Sequence, residues 1–542
     1  MSRRRILTAC ALSAAVVATW HAAHSAGPEV SSLLPAGGQR GTTVEVSAGG
    51  KFANWPAQAW VDRPGLTITA ADDKGKLSVA IAPDAAPGLY WIRLFDAEGA
   101  SAPQPFVVGT LAEMVEQESN NAPGNATATP SSTVVANGRL GGGGDVDHFA
   151  VSLEQGQTLV ASLAGHETLG SPMDAVMHVA SATGRQLAYN HDQRGLDPEI
   201  IFAAPADGTY LVRVFAFPSA PNSTIGFAGN DRYVYRLTLT TAGFVDYPWP
   251  LAVTRNRETR VELAGWNISE SLQAVTIKPD GETFRISDPQ LAGVATVAVE
   301  PHDTLVESEP NEPESPQTIA LPTTITGRIE RPGDVDAYSF EGKKGQPLVF
   351  QLESRELGYP LDAVIEVTDA AGKSLARVDD TGDTRDPLVA FSPPADGPFR
   401  VVVSDLNRQG SSRHVYRLRA TKAAPSYKVS ADTHAYTVSP DKPGEITLSV
   451  ERQNGFAEEI AFTVTGLPEF VTAAPATSAA EGDSAKAVKL SLASSGGPFS
   501  GPIRIQGQAT GASKLSRTAT TAIPNHTARA ADLWLTATAA KK

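Results

Sequence analysis

The sequence predicts an all-β protein built from tandem β-sandwich domains, and three observations predict it. The 542 residues include 47 glycines and 39 prolines, a density of chain reversals that suits many short strands. After residue 26, apolar runs of strand length are separated by Gly, Pro, Asn and Asp about every 8 to 15 residues, and no stretch sustains the periodicity of an amphipathic helix. Finally, one long segment occurs twice. Gly138-Arg-Leu-Gly-Gly-Gly-Gly-Asp-Val-Asp-His-Phe149 returns as Gly327-Arg-Ile-Glu-Arg-Pro-Gly-Asp-Val-Asp-Ala-Tyr338. The correspondence continues in order through Asp174-Ala-Val176 and Asp362-Ala-Val364, Pro205-Ala-Asp-Gly208 and Pro394-Ala-Asp-Gly397, and Val234-Tyr-Arg-Leu237 and Val415-Tyr-Arg-Leu418. A repeat of about 120 residues is a duplicated domain rather than a solenoid unit.

Residues 1–26 read as a secretory signal. Arg3-Arg4-Arg5 is a basic start, residues 6–20 are apolar, and Ala23-His-Ser-Ala26 offers small residues for cleavage. The expectation is a secreted, periplasmic or cell-surface protein. Leu7-Thr-Ala-Cys10 has too little apolar length before it to serve as a lipidation signal. Cys10 is the only cysteine, so a processed chain would hold no disulfide, thiolate metal site or cysteine nucleophile. No later segment reaches the roughly 18 apolar residues of a membrane-spanning helix. The formal charge of −14 becomes more negative once the three arginines are removed, which disfavours nucleic acid as a partner and suits a calcium-rich exterior.

Residues 27–110 contain the strands Thr43-Val-Glu-Val-Ser47, Gly88-Leu-Tyr-Trp-Ile-Arg-Leu94 and Pro105-Phe-Val-Val-Gly109. Alternation puts Leu89, Trp91 and Arg93 on one face and Tyr90, Ile92 and Leu94 on the other, as in a central strand covered on both sides. The start Pro35-Ala-Gly-Gly-Gln-Arg-Gly41 and the finish Gly88-Leu-Tyr-Trp-Ile-Arg93 resemble immunoglobulin-like domains of the IPT/TIG type, which implies a spacer or binding module.

Residues 111–242 and 304–422 are the two copies. Each begins with an acidic leader, Glu116-Gln-Glu118-Ser-Asn120 or Glu307-Ser-Glu309-Pro-Asn311. In the first, Phe149, Val151 and Leu153 alternate before a turn at Gln155-Gly156 and Leu159, Ala161 and Leu163 alternate after it. That pattern predicts a β-hairpin, as do Tyr338, Phe340, Leu348, Phe350 and Leu352 in the second. Leader, Gly-Asp-Val-Asp, Leu361-Asp362, Asp379-Asp380, Pro-Ala-Asp-Gly and the closing Tyr416-Arg-Leu418 together resemble the bacterial pre-peptidase C-terminal domain, the group that includes the calcium-binding collagen-binding modules of secreted collagenases. The resemblance implies a jelly-roll-like, non-catalytic sandwich attached to secreted enzymes.

Residues 243–303 carry their own strands and are either a small β-domain or a segment packed on a neighbour. Residues 423–542 read as a further immunoglobulin-like sandwich, with residues 473–484 as a loop.

In extended backbone, residues i, i+2 and i+4 project the same way. Glu307, Glu309 and Asn311 therefore share one edge, and Asp334 and Asp336 one face of the next strand. Calcium takes about six to eight oxygen ligands in irregular geometry, which two such edges could supply. The resemblance implies the same set, with Glu116, Glu118, Asn120, Asp145 and Asp147 in the first copy. Glu312 or Asn121 stands where those modules often have Asp. The competing reading is that these acids are solvated turn formers that blunt strand edges.

Catalytic motifs are absent: there is no Gly-x-Ser-x-Gly, no His-Glu-x-x-His and no P-loop. His166-Glu167 lacks a second histidine, and Gly141-Gly-Gly-Gly144 precedes a strand rather than a helix. A Ser, His and Asp that meet only in the folded chain would leave no such mark. Tyr247, Trp249, Phe215 and Phe217 could stack on a sugar or peptide, or serve core and linker packing. The expected function is non-catalytic binding of an extracellular polysaccharide or protein by calcium-stabilised modules. The alternatives are an accessory piece of a secreted peptidase system and a structural cell-envelope protein.

Overall fold

The computed structural model describes residues 27–540 except 221, 222, 224, 225 and 383. Residues 1–26, read above as a signal and including Cys10, lie outside the described residues. Strands dominate; among the described residues the α-helix is the single turn His166–Leu169. His166 and Glu167 thus sit on a helical turn rather than in a strand.

Each copy is a pair of facing five-stranded sheets. In the first copy one sheet runs Thr127–Ala128, Asp147–Leu153, Gly208–Pro218, Met173–Ser181, Gln186–Asn190, and the other runs Glu199–Ala203, Thr158–Ala164, Val234–Thr240, Val134–Arg139, Glu113–Val115. The second copy repeats both orders strand for strand. Period-two sequences direct every second side chain inward: Phe149, Val151 and Leu153 from one sheet meet Leu159, Ala161 and Leu163 from the other. In the second copy Tyr338 and Phe340 meet Phe350 and Leu352 in the same way. Each such large apolar side chain contributes about 1.5–3 kcal/mol on burial.

This arrangement corrects the expected hairpins. Asp147–Leu153 pairs with Gly208–Pro218, whereas Thr158–Ala164 pairs with Glu199–Ala203 and Val234–Thr240. Val335–Gly342 and Leu348–Glu353 are divided between sheets likewise. Two strands facing one core from opposite sides have the same alternation as two strands side by side, so the pattern alone does not distinguish them.

Residues 243–303 form a four-stranded and a three-stranded sheet around Val253, Val261 and Val297. This unit also packs on both copies. Phe244 and Ala292 meet Val135 and Val160 of the first, and Tyr247 and Leu251 meet Tyr359 and Val415 of the second. Asp246 ties the three together, pairing with Arg194 at 2.6 Å and Arg413 at 2.7 Å. Tyr247 and Trp249 are thereby accounted for as packing residues, Trp249 lying under the Arg328 guanidinium.

The terminal units close the chain on itself. Gly88–Phe95 does lie inside its sheet, between Gln104–Gly109 and Gln58–Val61. Its second face is covered by the C-terminal unit: the fully buried Arg93 donates to the carbonyls of Ser101 and Asp532, and His526 packs edge-on against Trp91. In that C-terminal unit, part of the expected loop at 473–484 is strand, because Ala476–Ser478 pairs with Ile460–Thr465. The buried Ser478 hydroxyl accepts a bond from Arg452 there, a polar anchor with no hydrophobic signature.

Candidate metal centres

The acidic leader of each copy enters as a short edge strand. Glu113–Val115 lies parallel to Val134–Arg139, and Thr304–Val306 parallel to Thr323–Arg328. The ladder continues one residue further, since the amides of Glu116 and Glu307 donate to Asn137 O and Thr326 O. That last pairing fixes where the glutamates point. Glu116 accepts the Arg139 amide at 2.7 Å and Glu307 the Arg328 amide at 2.8 Å. Glu118 and Glu309 fold back to accept the amides of Asn120 and Asn311.

These leaders bring the predicted acids together. Glu116, Glu118 and Asp147 place one carboxylate oxygen each within 4.8 Å of one another, and so do Glu307, Glu309 and Asp336. In both triads the aspartate is buried, the first glutamate half-buried and the second exposed, so each triad runs from the interior to the solvent. Asn120 and Asn311 are buried beside them.

Asp145 and Asp334 stand apart from the triads and do turn chemistry. Asp145 accepts the Gly141 amide and Asp334 the Glu330 amide, although the Asp334 charge still acts on Asp336. Glu312 turns away to Arg331 at 3.7 Å. In each copy one of the four predicted acids thus caps a turn while the other three cluster.

Two residue types at the sites carried a repeat signal but no assigned role. Tyr235 donates to Asp147 at 2.6 Å and its hydroxyl lies 3.1 Å from Glu116. In the second copy Tyr416 donates to Asp336, and the Tyr338 hydroxyl bonds to that of Tyr416 at 2.6 Å. The tyrosine ring crosses directly over a glycine. A Cβ at Gly138 would overlap the Tyr235 hydroxyl and at Gly327 that of Tyr416, and it would press on Glu116 or Glu307. Hence the repeated phrase begins with glycine and the repeat closes on Val-Tyr-Arg-Leu.

The electrostatics are those of a site short of positive charge. Burial, then the neighbouring carboxylates, push Asp147 and Glu307 well above the ordinary range. Burial likewise raises Glu116, Asp336 and Glu309. A single hydroxyl proton serves the two carboxylates around Tyr235, which leaves buried oxygens without donors. Asn120 Oδ1 and Asp147 Oδ1 in the first copy, and Asn311 Oδ1 and Asp336 Oδ1 in the second, have no hydrogen-bond partner. The donors are all oxygens, with neither imidazole nor thiolate, which fits a hard divalent cation of the calcium class rather than zinc.

Ser411 and His414 share a hydrogen bond, yet Asp405, whose charge acts on His414, accepts instead from the amides of Asp362, Asn407 and Gln409. Asp379 is half-buried and Asp380 exposed, and neither belongs to the clustered carboxylates.

Residues 334–405 match the bacterial pre-peptidase C-terminal domain family. The second copy carries such a domain. A probable subtilase-type serine protease of Deinococcus radiodurans is 37% identical to the chain over 70 residues, which is 13% of this chain and 10% of the relative's length. The chain thus spans a tenth of that protease. Among solved structures, the pre-peptidase C-terminal domain of a Bacillus anthracis collagenase aligns at 18% identity over 19% of this chain and 93% of its own, with a TM-score of 0.16. The M60 catalytic domain of Clostridium perfringens ZmpB with its two CBM51 domains aligns at 11% identity over 73% of this chain and 55% of its own, with a TM-score of 0.14. SGBP-B of the Bacteroides ovatus mixed-linkage glucan utilization locus, in complex with a mixed-linkage heptasaccharide, aligns at 11% identity over 71% and 73%, with a TM-score of 0.14. No helix among the described residues is long and apolar enough to cross a membrane.

Proposed function

We propose that the chain is a secreted or cell-surface, non-catalytic binding protein whose two duplicated sandwiches each hold a calcium ion and together present an extracellular polymer with a rigid surface. The observation that carries this reading is the pair of buried, donor-free oxygens at each triad, Asp147 Oδ1 with Asn120 Oδ1 and Asp336 Oδ1 with Asn311 Oδ1. A bound cation offsets the repulsion of three clustered carboxylates and stabilises the folded state by mass action. Glu116, Glu118, Asn120 and Asp147 would hold one ion, and Glu307, Glu309, Asn311 and Asp336 the other. Each ion would tether the leader to its own sandwich, and so fix the angle at which the preceding unit enters.

Calorimetric titration of the chelated full chain with calcium is the test. Binding to the wild type, reduced in Glu309→Ala and Asp336→Ala, supports the site. Equal heats in all three proteins retire it. A second reading, an accessory part of a secreted peptidase system, draws on the short match to the subtilase-type protease. Cleavage of casein or a peptide library by the purified chain would favour an enzyme over both.

A further inference from the structure

The outer face of the first copy differs from that of the second in kind. Strand register sets Tyr189 beside His178, His178 beside Arg213, and Arg213 beside His148, one row across four strands. Further along the central strand Gly208–Pro218 come Phe215 and Phe217, joined by Phe227 from the loop that follows. In the second copy the same row reads Arg377, Glu366, Val402 and Ala337, and Ser404 takes the place of Phe215. Because both sandwiches keep the same strand orders, the aromatic row is not needed to build one.

The face is also exposed, and it carries a cation without a carboxylate partner. Tyr189 is 62% exposed, Phe217 39% and Phe227 37%, and every exposed aromatic side chain among the described residues lies here. Arg213 bonds to His178, and its guanidinium lies over the Phe215 ring at 5.6 Å. No carboxylate pairs with it among the described residues, and its Nε is buried without a partner. A partly buried guanidinium without an anion is costly, most of all on a chain whose 59 acidic residues could have supplied one. Of the nearby acids, Asp192 pairs with His191 at 2.7 Å, and Asp174 stands across the strand from Phe217.

We propose that this face binds an acidic polysaccharide, with pyranose rings stacked on Tyr189 and Phe217 and a uronate carboxylate held by Arg213. The proposal rests on the polymer-binding reading above and names its surface and ligand class. The central strand that carries Arg213 and Phe217 is paired on both sides and offers no free backbone; stacking and charge remain there, and a ring-bearing anionic chain uses both. A peptide adding to the edge strand Gln186–Asn190 would lie beside Tyr189 but leave Arg213 and Phe217 unused.

Affinity electrophoresis of the full chain through gels of polygalacturonate, its methyl ester, a neutral β-glucan and poly-glutamate tests it. Retardation is expected in polygalacturonate, weakened about tenfold or more by Tyr189→Ala or Phe217→Ala. Arg213→Gln is expected to abolish the preference for the free acid over the ester. Glu366→Ala and Leu406→Ala, on the second copy's face, are expected to leave binding unchanged, and equal melting temperatures show that each variant is folded. Polygalacturonate binding indifferent to Tyr189 and Phe217, or retention by poly-glutamate alone, overturns the proposal. Binding to the neutral glucan alone overturns it while leaving a polymer-binding protein. Binding to none of the four overturns the proposal, and loss of the polymer reading would then require that other extracellular polymers, such as gelatin, fail as well.

Discussion

Phe149 and Tyr338 hold the same strand position in the two copies, each in parallel register with its leader-side strand. Only the second adds a hydroxyl to the chain of bonds that ends on its buried aspartate. Around them the triads are alike down to the crossing tyrosine and the glycine beneath it. Outside, the sheets share an order but not a surface: histidine, arginine and aromatics on one, a Glu-Arg pair and aliphatics on the other. Groups locked to buried carboxylates changed little between copies, because any change there strands a polar atom in the interior. Side chains facing solvent were free to diverge, and that is where a difference in function can reside.

The sharpest way to break this comparison is to remove one site at a time. Asp336→Ala is expected to lower the calcium stoichiometry from two ions to one and Asp147→Ala to do the same at the other site, with the double variant binding none, all read by calorimetry. If either single variant loses both ions, the copies are not independent.

The link between copies comes next. Asp246→Ala leaves Arg194 and Arg413 without their shared partner and is expected to destabilise the chain by about 3–5 kcal/mol, measured by denaturant unfolding. Small-angle scattering should show the two sandwiches losing their fixed orientation.

Acid should separate the copies further. Burial and the Arg213 charge hold His178 down to about 4, below the ordinary value near 6.5, and burial also lowers His148. The unfolded chain then binds more protons than the folded one between these values, so stability is present above about pH 6.5 and is lost as pH falls toward 4. The second copy has Glu366 and Ala337 at these positions. Hydrogen exchange at pH 5 is expected to rise in the first copy's outer sheet more than in the second's.

The smallest effect is expected from Tyr338→Phe, which gives the second copy the first copy's residue. One buried hydrogen bond is worth about 1 kcal/mol, and Tyr416 keeps its bond to Asp336. A thermal shift much larger than that would mean the two hydrogen-bond networks are not equivalent.

Several of these features are legible in the linear chain. The duplication and the all-β class follow from recurrence and period-two alternation, and alternation also sets Glu307, Glu309 and Asn311 on one edge. Sheet assignment does not follow, since Phe149 and Leu159 alternate identically whether they neighbour or face one another. The role of Tyr416 was equally hidden, because it reaches Asp336 from 80 positions away.

By itself the sequence determined that two sandwiches recur and which acids open each of them, because turn residues and alternation act over a few positions. Only the tertiary structure decided that Asp334 caps a turn while Asp336 joins the carboxylates, that Gly327 makes room for a tyrosine, and that Asp246 joins both copies. Those outcomes depend on distances between strands far apart in the chain, which close packing fixes and local pattern does not encode.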